Sequence, residues 1–485
     1  MEHPNIVHGP PWTWWPGGPP LTNIIYDIVV VPPGLIKYDN WLCSPILTQT
    51  QAAKNKIDAI QVQGVWDDYK KITNPYEYVF LSLNRRMSRS VTTRQPLSRS
   101  YFKMQELWIG AEIQKELAPL IERAGGLYTA HAAEGPGGFI EAIHDMLPGK
   151  VKHSMGMTLR STTRNIPGWR KTSAFLGKHP EITINYGKDE TGDLLNLENL
   201  DYFVESQPQK AHIYTADGGF DFSSDFNAQE ETILPLLTAE FYLGLTSIQR
   251  GGVIIVKIFD TTLRPTLELI WIVTRCFRTW STVKPRTSRG GNAERYLICK
   301  GFLGLDSTMN DFFRKAITQK SGDIKSFLNT KPDSSWIQTM MILQEAISIQ
   351  ETDIIQKTLK LIENPEKSCI RAFIEQNVER SIQWCKEHGE PINPRWVDES
   401  WKQKTIEDEI KELLNGYETP KNTISNFTGW RGLAEGSQTD SPEGHQQQQT
   451  RHAVMFSRTR PPRAEKSTSR ARRVGSPDAE GWQKV

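Results

Sequence analysis

Residues Ala133 to Ala142 read AEGPGGFIEA, a glycine-rich turn between an apolar run and a helical pattern. Three later segments are TADGGFD around Asp217, VIIVKIFD around Lys257 and KPRTSRGGNAERYLICKGF around Glu294. They put an acid, an amine and a second acid at the ends of, or just before, apolar β-type runs. Upstream, RSYFKMQELW carries Lys103. Two amines and two carboxylates gathered at strand ends suit removal of a proton from a sugar hydroxyl. Lys257 interrupts the otherwise apolar run GGVIIVKIF, where a charge is costly unless it is paired or neutralised. Asp217 beside it would orient the amine. Desolvation and other nearby cations are expected to lower the Lys257 pKa toward that of a working base. Taken singly, each lysine serves as well as a surface snorkel, and each acid as a cap or salt bridge.

The glycine loop has its own physical meaning. A strand running into GPGG (Gly135, Pro136, Gly137, Gly138) and then a helix lets the backbone approach a ligand where side chains would block it. At the carboxyl end of a parallel strand, that ligand is expected to be nucleotide-like. The pattern is not GxGxxG and lacks the lysine of a phosphate-binding P-loop, so alone it reads equally as a plain turn.

The elements that must position these residues alternate between helical and strand-like segments from about 85 to 305. That alternation predicts an α/β domain with a largely parallel sheet. SYFKMQELWIGAEIQKELAPLIERAG reads as one amphipathic helix stopped by Gly125 and Gly126. LYTAHAA, VKHSMGMTL, EITINYG, AHIYTAD and GGVIIVKIF follow as strands, with a long helix over 229–249, and TWSTVKP and RYLICKGF complete the sheet. Residues 306–416 turn helical, in IQETDIIQKTLKLIE, SCIRAFIEQNVERSIQWCKEH and KTIEDEIKELLNGY. Beyond about 420 the chain is rich in Ser, Thr, Gly, Pro and Gln and ends in RTRPPRAEKSTSRARRVG, a composition expected to be disordered. The organisation is therefore read as an N-terminal extension over 1–84, an α/β domain over 85–305, an α-helical domain over 306–416 and a disordered basic tail over 417–485.

The chain has 485 residues, with 58 basic and 56 acidic side chains and a net charge of +2. Total charge carries no argument for nucleic acid, so any basic surface must be local. Five scattered cysteines without a CxxC pair argue against a disulfide framework or a zinc site and for a reducing compartment. Cys276 and Cys299 lie in apolar runs and read as core fillers. No apolar signal region opens the sequence, and no apolar stretch approaches the ~20 residues of a spanning helix. Trp12, Trp14 and Trp15 could stack on a base; an arm tucked against the body is the favoured reading.

The glycine loop, GMTL at Gly156–Leu159, DGGF at Asp217–Phe220 and KPxTSRxxNxERYxxCKG at Lys284–Gly301 resemble the FtsJ-like (RrmJ-like) family of RNA 2′-O-methyltransferases. The similarity is greatest to its eukaryotic and viral mRNA cap branch; SRSYFK, with Lys103, also resembles the ribosomal RNA branch. The resemblance implies a Rossmann-like α/β fold and S-adenosyl-L-methionine as cofactor. It also implies a Lys-Asp-Lys-Glu tetrad falling on Lys103, Asp217, Lys257 and Glu294, with no metal. In this reading Lys257 draws the ribose 2′-OH proton, Asp217 positions Lys257, and Lys103 and Glu294 fix the hydroxyl. Gly135, Pro136, Gly137 and Gly138 would line the cofactor, Asp193 would contact its adenine amino group, and Asp217 would approach its methyl end. A loop aspartate at a turn is the alternative for Asp193. Glu134 departs from the family, which has a small residue there. Arg160, Arg164, Arg286 and Arg289 are candidate phosphate contacts. The expected substrate is the first transcribed nucleotide of capped mRNA, with ribosomal or other RNA, or a non-catalytic RNA-binding role, as alternatives. Other capping or transcription proteins are possible partners, no membrane is expected, and the cytoplasm is the expected compartment, with the nucleus, or a virion if the protein is viral, left open.

Overall fold

The computed structural model describes residues 12–18, 26–32, 40–61, 65–81, 90–160, 168–169, 172–219, 228–319, 323–398 and 401–402. Arg164, the helix expected over 404–417 and the basic tail lie outside the described residues. The leading strands are β1 (Trp15–Pro16) and β2 (Tyr26–Val31), followed by helices α1 (Pro45–Gln61) and α2 (Val65–Thr73). Next come α3 (Ser100–Gly110), α4 (Ile113–Ala124), β3 (Leu127–Ala132), α5 (Gly138–Met146), β4 (Val151–Met157), α6 (Ser173–Leu176) and β5 (Ile182–Ile184). They continue with α7 (Leu197–Ser206), β6 (Ala211–Ala216), α8 (Gln229–Ser247), β7 (Ile248–Ile258), α9 (Arg264–Thr274), β8 (Phe277–Val283) and β9 (Arg295–Phe302). The last are α10 (Ser307–Thr318), β10 (Asp323–Leu328), α11 (Ser334–Glu363) and α12 (Lys367–Glu387).

The main sheet has eight strands in the order β1-β8-β9-β7-β6-β3-β4-β5. Its pairings from β5 to β7 are parallel, and those from β7 to β1 are antiparallel. The sheet is thus Rossmann-like and mixed: β9 runs antiparallel between β7 and β8, and β8 runs in the same direction as β7. The central strands are buried on both faces. On β7, Ile254, Val256 and Ile258 join one core cluster, while Val253 and Ile255 join the other. This is why GGVIIVKIF reads as a continuous apolar run instead of an alternating one.

The helix expected over 100–125 is two helices. Gly110 ends α3, and Glu112 takes a left-handed backbone (φ 50°) before α4. Gly110 packs so closely on Trp12 that a Cβ there would stand 2.5 Å from the indole. The freed carbonyl of Ala111 accepts a hydrogen bond from Lys300 Nζ at 2.9 Å. An unbroken apolar stripe hides such a break, because the cause is a tertiary contact.

The aromatic arm is tucked against this edge. Trp15 stacks on Trp280 with ring centroids 5.0 Å apart, Lys300 Nζ sits 3.6 Å over the Trp14 ring, and Trp12 is buried. The flanking segments interleave: β2 pairs antiparallel with β10, a strand within the stretch read as helical, and α1 and α2 pack on α11. Among the described residues, no helix is long and apolar enough to cross a membrane. Cys276 and Cys299 are buried, in keeping with core fillers.

Candidate active site

The parallel half of the sheet reverses its strand order at β3. Strands β4 and β5 lie to one side of it, and β6 and β7 to the other. In open α/β sheets, ligands bind at the carboxyl ends of strands beside such a switch. The loop Gly135–Gly138 leaves β3 there and opens α5. Asp217 follows β6, and Lys257 is the penultimate residue of β7.

The antiparallel pairing of β9 on β7 supplies the rest. Lys257 is in register with Tyr296, and Glu294 lies just ahead of β9. Helix α3 brings Lys103 from the opposite side. The start of that helix packs so tightly on the glycine loop that a Cβ on Gly138 would stand 2.3 Å from Ser98 Oγ and 2.4 Å from Ser100 Oγ. The glycine there is required by the chain's own packing as well as by any ligand.

The four residues form two ion pairs. Lys103 Nζ lies 2.7 Å from Glu294 Oε1. Lys257 Nζ lies 3.2 Å from Asp217 Oδ1 and donates to the Asp217 carbonyl at 2.7 Å. Their side chains are only 10–14% exposed, so they are largely desolvated yet still reachable. Tyr296 donates its hydroxyl to Asp217 Oδ1 at 2.7 Å.

Behind Glu294, buried Lys284 donates to Asn292 O (2.7 Å), Asn292 Oδ1 (2.8 Å) and Glu294 O (2.8 Å), and Ser288 donates to Glu294 Oε1 at 2.7 Å. The loop carrying Ser288 is itself tied down by Glu106, which accepts from the amides of Arg286 and Thr287 at 2.8 Å each. Tyr296, Lys284 and Ser288 stand in the KPRTSRGGNAERY motif but were not singled out from it. The motif shows their types and spacing, and only the strand register shows what they face.

The electrostatics depart from the expectation for Lys257. Burial would lower its pKa, but the carboxylates of Asp217, Glu294 and Glu240 outweigh burial and raise it above the ordinary 10.5. Glu240 comes from α8, which the segments around the strand ends do not include. Burial likewise favours a neutral Glu294, yet the ammonium groups of Lys103, Lys257 and Lys284 hold its carboxyl far below the usual range. Burial pushes Lys284 itself down to about 8, against the pull of Glu294 and Glu351.

Glu134 points into the protein. It accepts from Thr215 Oγ1 and pairs with His131 Nδ1 at 3.0 Å, and it is buried. An acid fits at this position of the loop because β3 and β6 provide those two partners beneath it. Burial raises the Glu134 pKa against the opposing pull of His131.

In the glycine loop, Gly137 has φ 104°, and a Cβ there would stand 3.0 Å from Trp169 Cζ3. A Cβ on Gly135 would meet the Gly168 backbone at 2.8 Å, and Thr172 Oγ1 donates to the Pro136 carbonyl at 2.7 Å. Asp193 lies in the loop after β5, where its Oδ1 accepts from the Leu195 amide at 2.9 Å. Arg160 lies over the Tyr186 ring, 4.6 Å from its centroid. Arg286 pairs with Glu387 at 2.7 Å, and Arg289 is held by both oxygens of Glu77. These two arginines brace the loop between flanking helices.

The model of the FtsJ-like methyltransferase family matches residues 96–302. The cap-specific mRNA (nucleoside-2′-O-)-methyltransferase 1 of Dictyostelium discoideum is 30% identical over 278 residues, covering 53% of this chain and 34% of that protein. The protein of the same name from Trypanosoma cruzi (strain CL Brener) is 28% identical over 263 residues, covering 53% of this chain and 70% of its own length. The Homo sapiens one is 29% identical over 285 residues, covering 56% of this chain and 32% of its own length. The chain thus spans about a third of the Dictyostelium and human relatives. The family match runs from just ahead of α3 to the end of β9, and so takes in the switch-point loop and the motif residues.

Proposed function

We propose that this chain methylates a ribose 2′-hydroxyl of RNA with S-adenosylmethionine as donor, and that its substrate is the first transcribed nucleotide of capped mRNA. The observation that carries the reading is the pair of ion pairs, Lys103–Glu294 and Lys257–Asp217, the second at the carboxyl ends of β6 and β7 and the first contributed by α3 and the residue ahead of β9. The relatives named above supply the cap as the RNA feature. A loop at the topological switch point, opened by Gly137 at positive φ, fits a nucleoside-bearing cofactor. Gly135 to Gly138 would hold its methionine and ribose parts, and Asp193 its adenine.

The cofactor supplies an electrophilic methyl group on a sulfonium cation. Lys257 accepts the ribose proton once its own amine is neutral. A positive charge placed beside it opposes the carboxylates of Asp217 and Glu294 and brings its pKa down toward the working range. Asp217, fixed by Tyr296, aims the amine. Lys103, fixed by Glu294, donates to the ribose oxygen and favours its anionic form. Most of the rate then comes from alignment in a desolvated site.

The test is methyl transfer from labelled S-adenosylmethionine to two otherwise identical short RNAs, one with a 7-methylguanosine cap and one with a 5′-triphosphate. Transfer to the capped RNA alone is expected. Equal transfer to both would replace cap specificity with a general RNA 2′-O-methyltransferase. Cofactor binding without transfer to either would overturn the proposed substrate.

A further inference from the structure

Away from the methyl-transfer residues, three metal-ligating side chains converge. His144 stands near the end of α5, and His179 and Glu181 lie in the turn between α6 and β5. Their donor atoms all lie within 4.8 Å of one another. His144 Nδ1 is 3.2 Å from Glu181 Oε1, and His179 Nδ1 is 3.0 Å from the same oxygen. Two donors bound tetrahedrally to one zinc ion at about 2.0–2.1 Å stand about 3.3 Å apart. The two separations to Glu181 are therefore a few tenths of an ångström from those of ligands sharing an ion, and the two imidazole donors stand within 4.8 Å of each other.

The three groups are also held in place before any ion arrives. The second ring nitrogen of His144, Nε2, lies 2.9 Å from Ser154 Oγ, the kind of outer contact that fixes a ligating imidazole. Phe175 packs on the His179 ring at 4.5 Å and edge-on to His144 at 6.2 Å. The Ser154 amide donates to the Glu181 carbonyl and the Ile182 amide to the His179 carbonyl, both at 3.0 Å. His144 is buried, whereas the His179 and Glu181 side chains are 29% and 28% exposed, which leaves an ion a way in.

We infer that His144, His179 and Glu181 form a binding site for a divalent transition-metal ion of the zinc class, with solvent in the fourth position. Two imidazoles and one carboxylate suit zinc, whereas magnesium and calcium favour all-oxygen sets. The role is structural. The segment that ends in these ligands contains Thr172, bonded to Pro136, and is preceded by Trp169, which lies against Gly137 and Gly156. An ion tying residues 179–181 to α5 holds that segment against the back of the glycine loop. No local pattern announces the site, because His144 is 35 residues from His179 in the chain.

The test uses the full chain, zinc by equilibrium dialysis and cobalt(II) by visible absorption. One ion per chain is expected, with a tetrahedral cobalt spectrum free of a thiolate charge-transfer band. His179→Ala and Glu181→Gln, both at part-exposed positions, should each weaken binding by roughly 100-fold or more. Zinc should raise the thermal midpoint of the wild type and not of these variants. If either variant loses its circular-dichroism signature, His179→Asn replaces it. Zinc bound equally by wild type and folded variants would overturn the site, leaving a hydrogen-bonded latch without metal. A thiolate band would do the same by placing the ion on an exposed cysteine, Cys43 or Cys369.

Discussion

Replacing Lys257 with alanine separates chemistry from folding at this site. The amine is the only group within hydrogen-bonding range of both the carbonyl (2.7 Å) and the carboxylate (3.2 Å) of Asp217 among the described contacts. A positioned base contributes about 10²–10⁴-fold to a rate. On the proposed reading, Lys257→Ala should therefore slow methyl transfer by about 1,000-fold or more, which is about 4 kcal/mol at 1.36 kcal/mol per decade. Folding should suffer less. Removing one partner of a fully buried pair costs about 3–5 kcal/mol. Here Asp217 keeps the Tyr296 hydroxyl and some solvent contact, so about 1–3 kcal/mol is expected. The assay is the initial rate of labelled-methyl transfer to the RNA that the wild type accepts, with urea denaturation run in parallel. A folded Lys257→Ala protein within tenfold of the wild-type rate would refute the assignment of Lys257 as the base.

Two further perturbations probe the loop and the buried acid behind the site. Gly137→Ala forces a Cβ onto a residue at φ 104°, 3.0 Å from Trp169. It should cost about 1–3 kcal/mol in urea denaturation and weaken S-adenosylmethionine binding at least about tenfold; unchanged affinity, measured calorimetrically, would remove the loop from the cofactor site. Glu240 is buried, and burial, reinforced by Asp217 and Glu134 against Lys257, pushes its pKa from 4.5 up to about 8. Between those values the folded state holds a proton that the unfolded state has released, so stability falls as pH rises through that window. Glu240→Gln cannot titrate, and its stability relative to wild type should improve by about 2–4 kcal/mol between pH 5 and pH 8. Parallel wild-type and variant curves over that range would count against the buried, protonated acid.

The legible part of this protein was the part whose signals are local. Strong β-type runs located β3, β4, β6 and β7, and the glycine turn marked the end of β3. Motif spacing brought Asp217, Lys257 and Glu294 to neighbouring strand ends, where the sheet does gather them. The features that escaped depend on contacts distant in sequence. That β9 turns back after β8 and inserts antiparallel between β8 and β7 is decided by the tertiary path of the chain, which an apolar run does not encode. The break between α3 and α4 follows from Trp12 pressing on Gly110 and from Lys300 capping Ala111. The expected lowering of the Lys257 pKa failed because the charges of Asp217 and Glu294, brought together by the strand register, outweigh burial.

That failure bears on how such a site must work. A lysine held between the carboxylates of Asp217 and Glu294 is an ammonium at neutral pH and accepts no proton. Removing Asp217 would lower the pKa of the amine, but would also discard a charge that favours a bound cation. Under the proposed reaction the two needs are reconciled by reciprocity. Whatever cation lowers the Lys257 pKa on binding must bind more tightly once Lys257 is neutral, by the same free energy. The carboxylates would favour a bound cation, and Lys257 would then yield its proton to solvent. The amine is released as a base only when the donor is in place. On that reading, proton removal without a methyl group to receive the oxygen would be suppressed by the resting charge state itself, with the Asp217 and Glu294 carboxylates held by the Tyr296 and Ser288 hydroxyls.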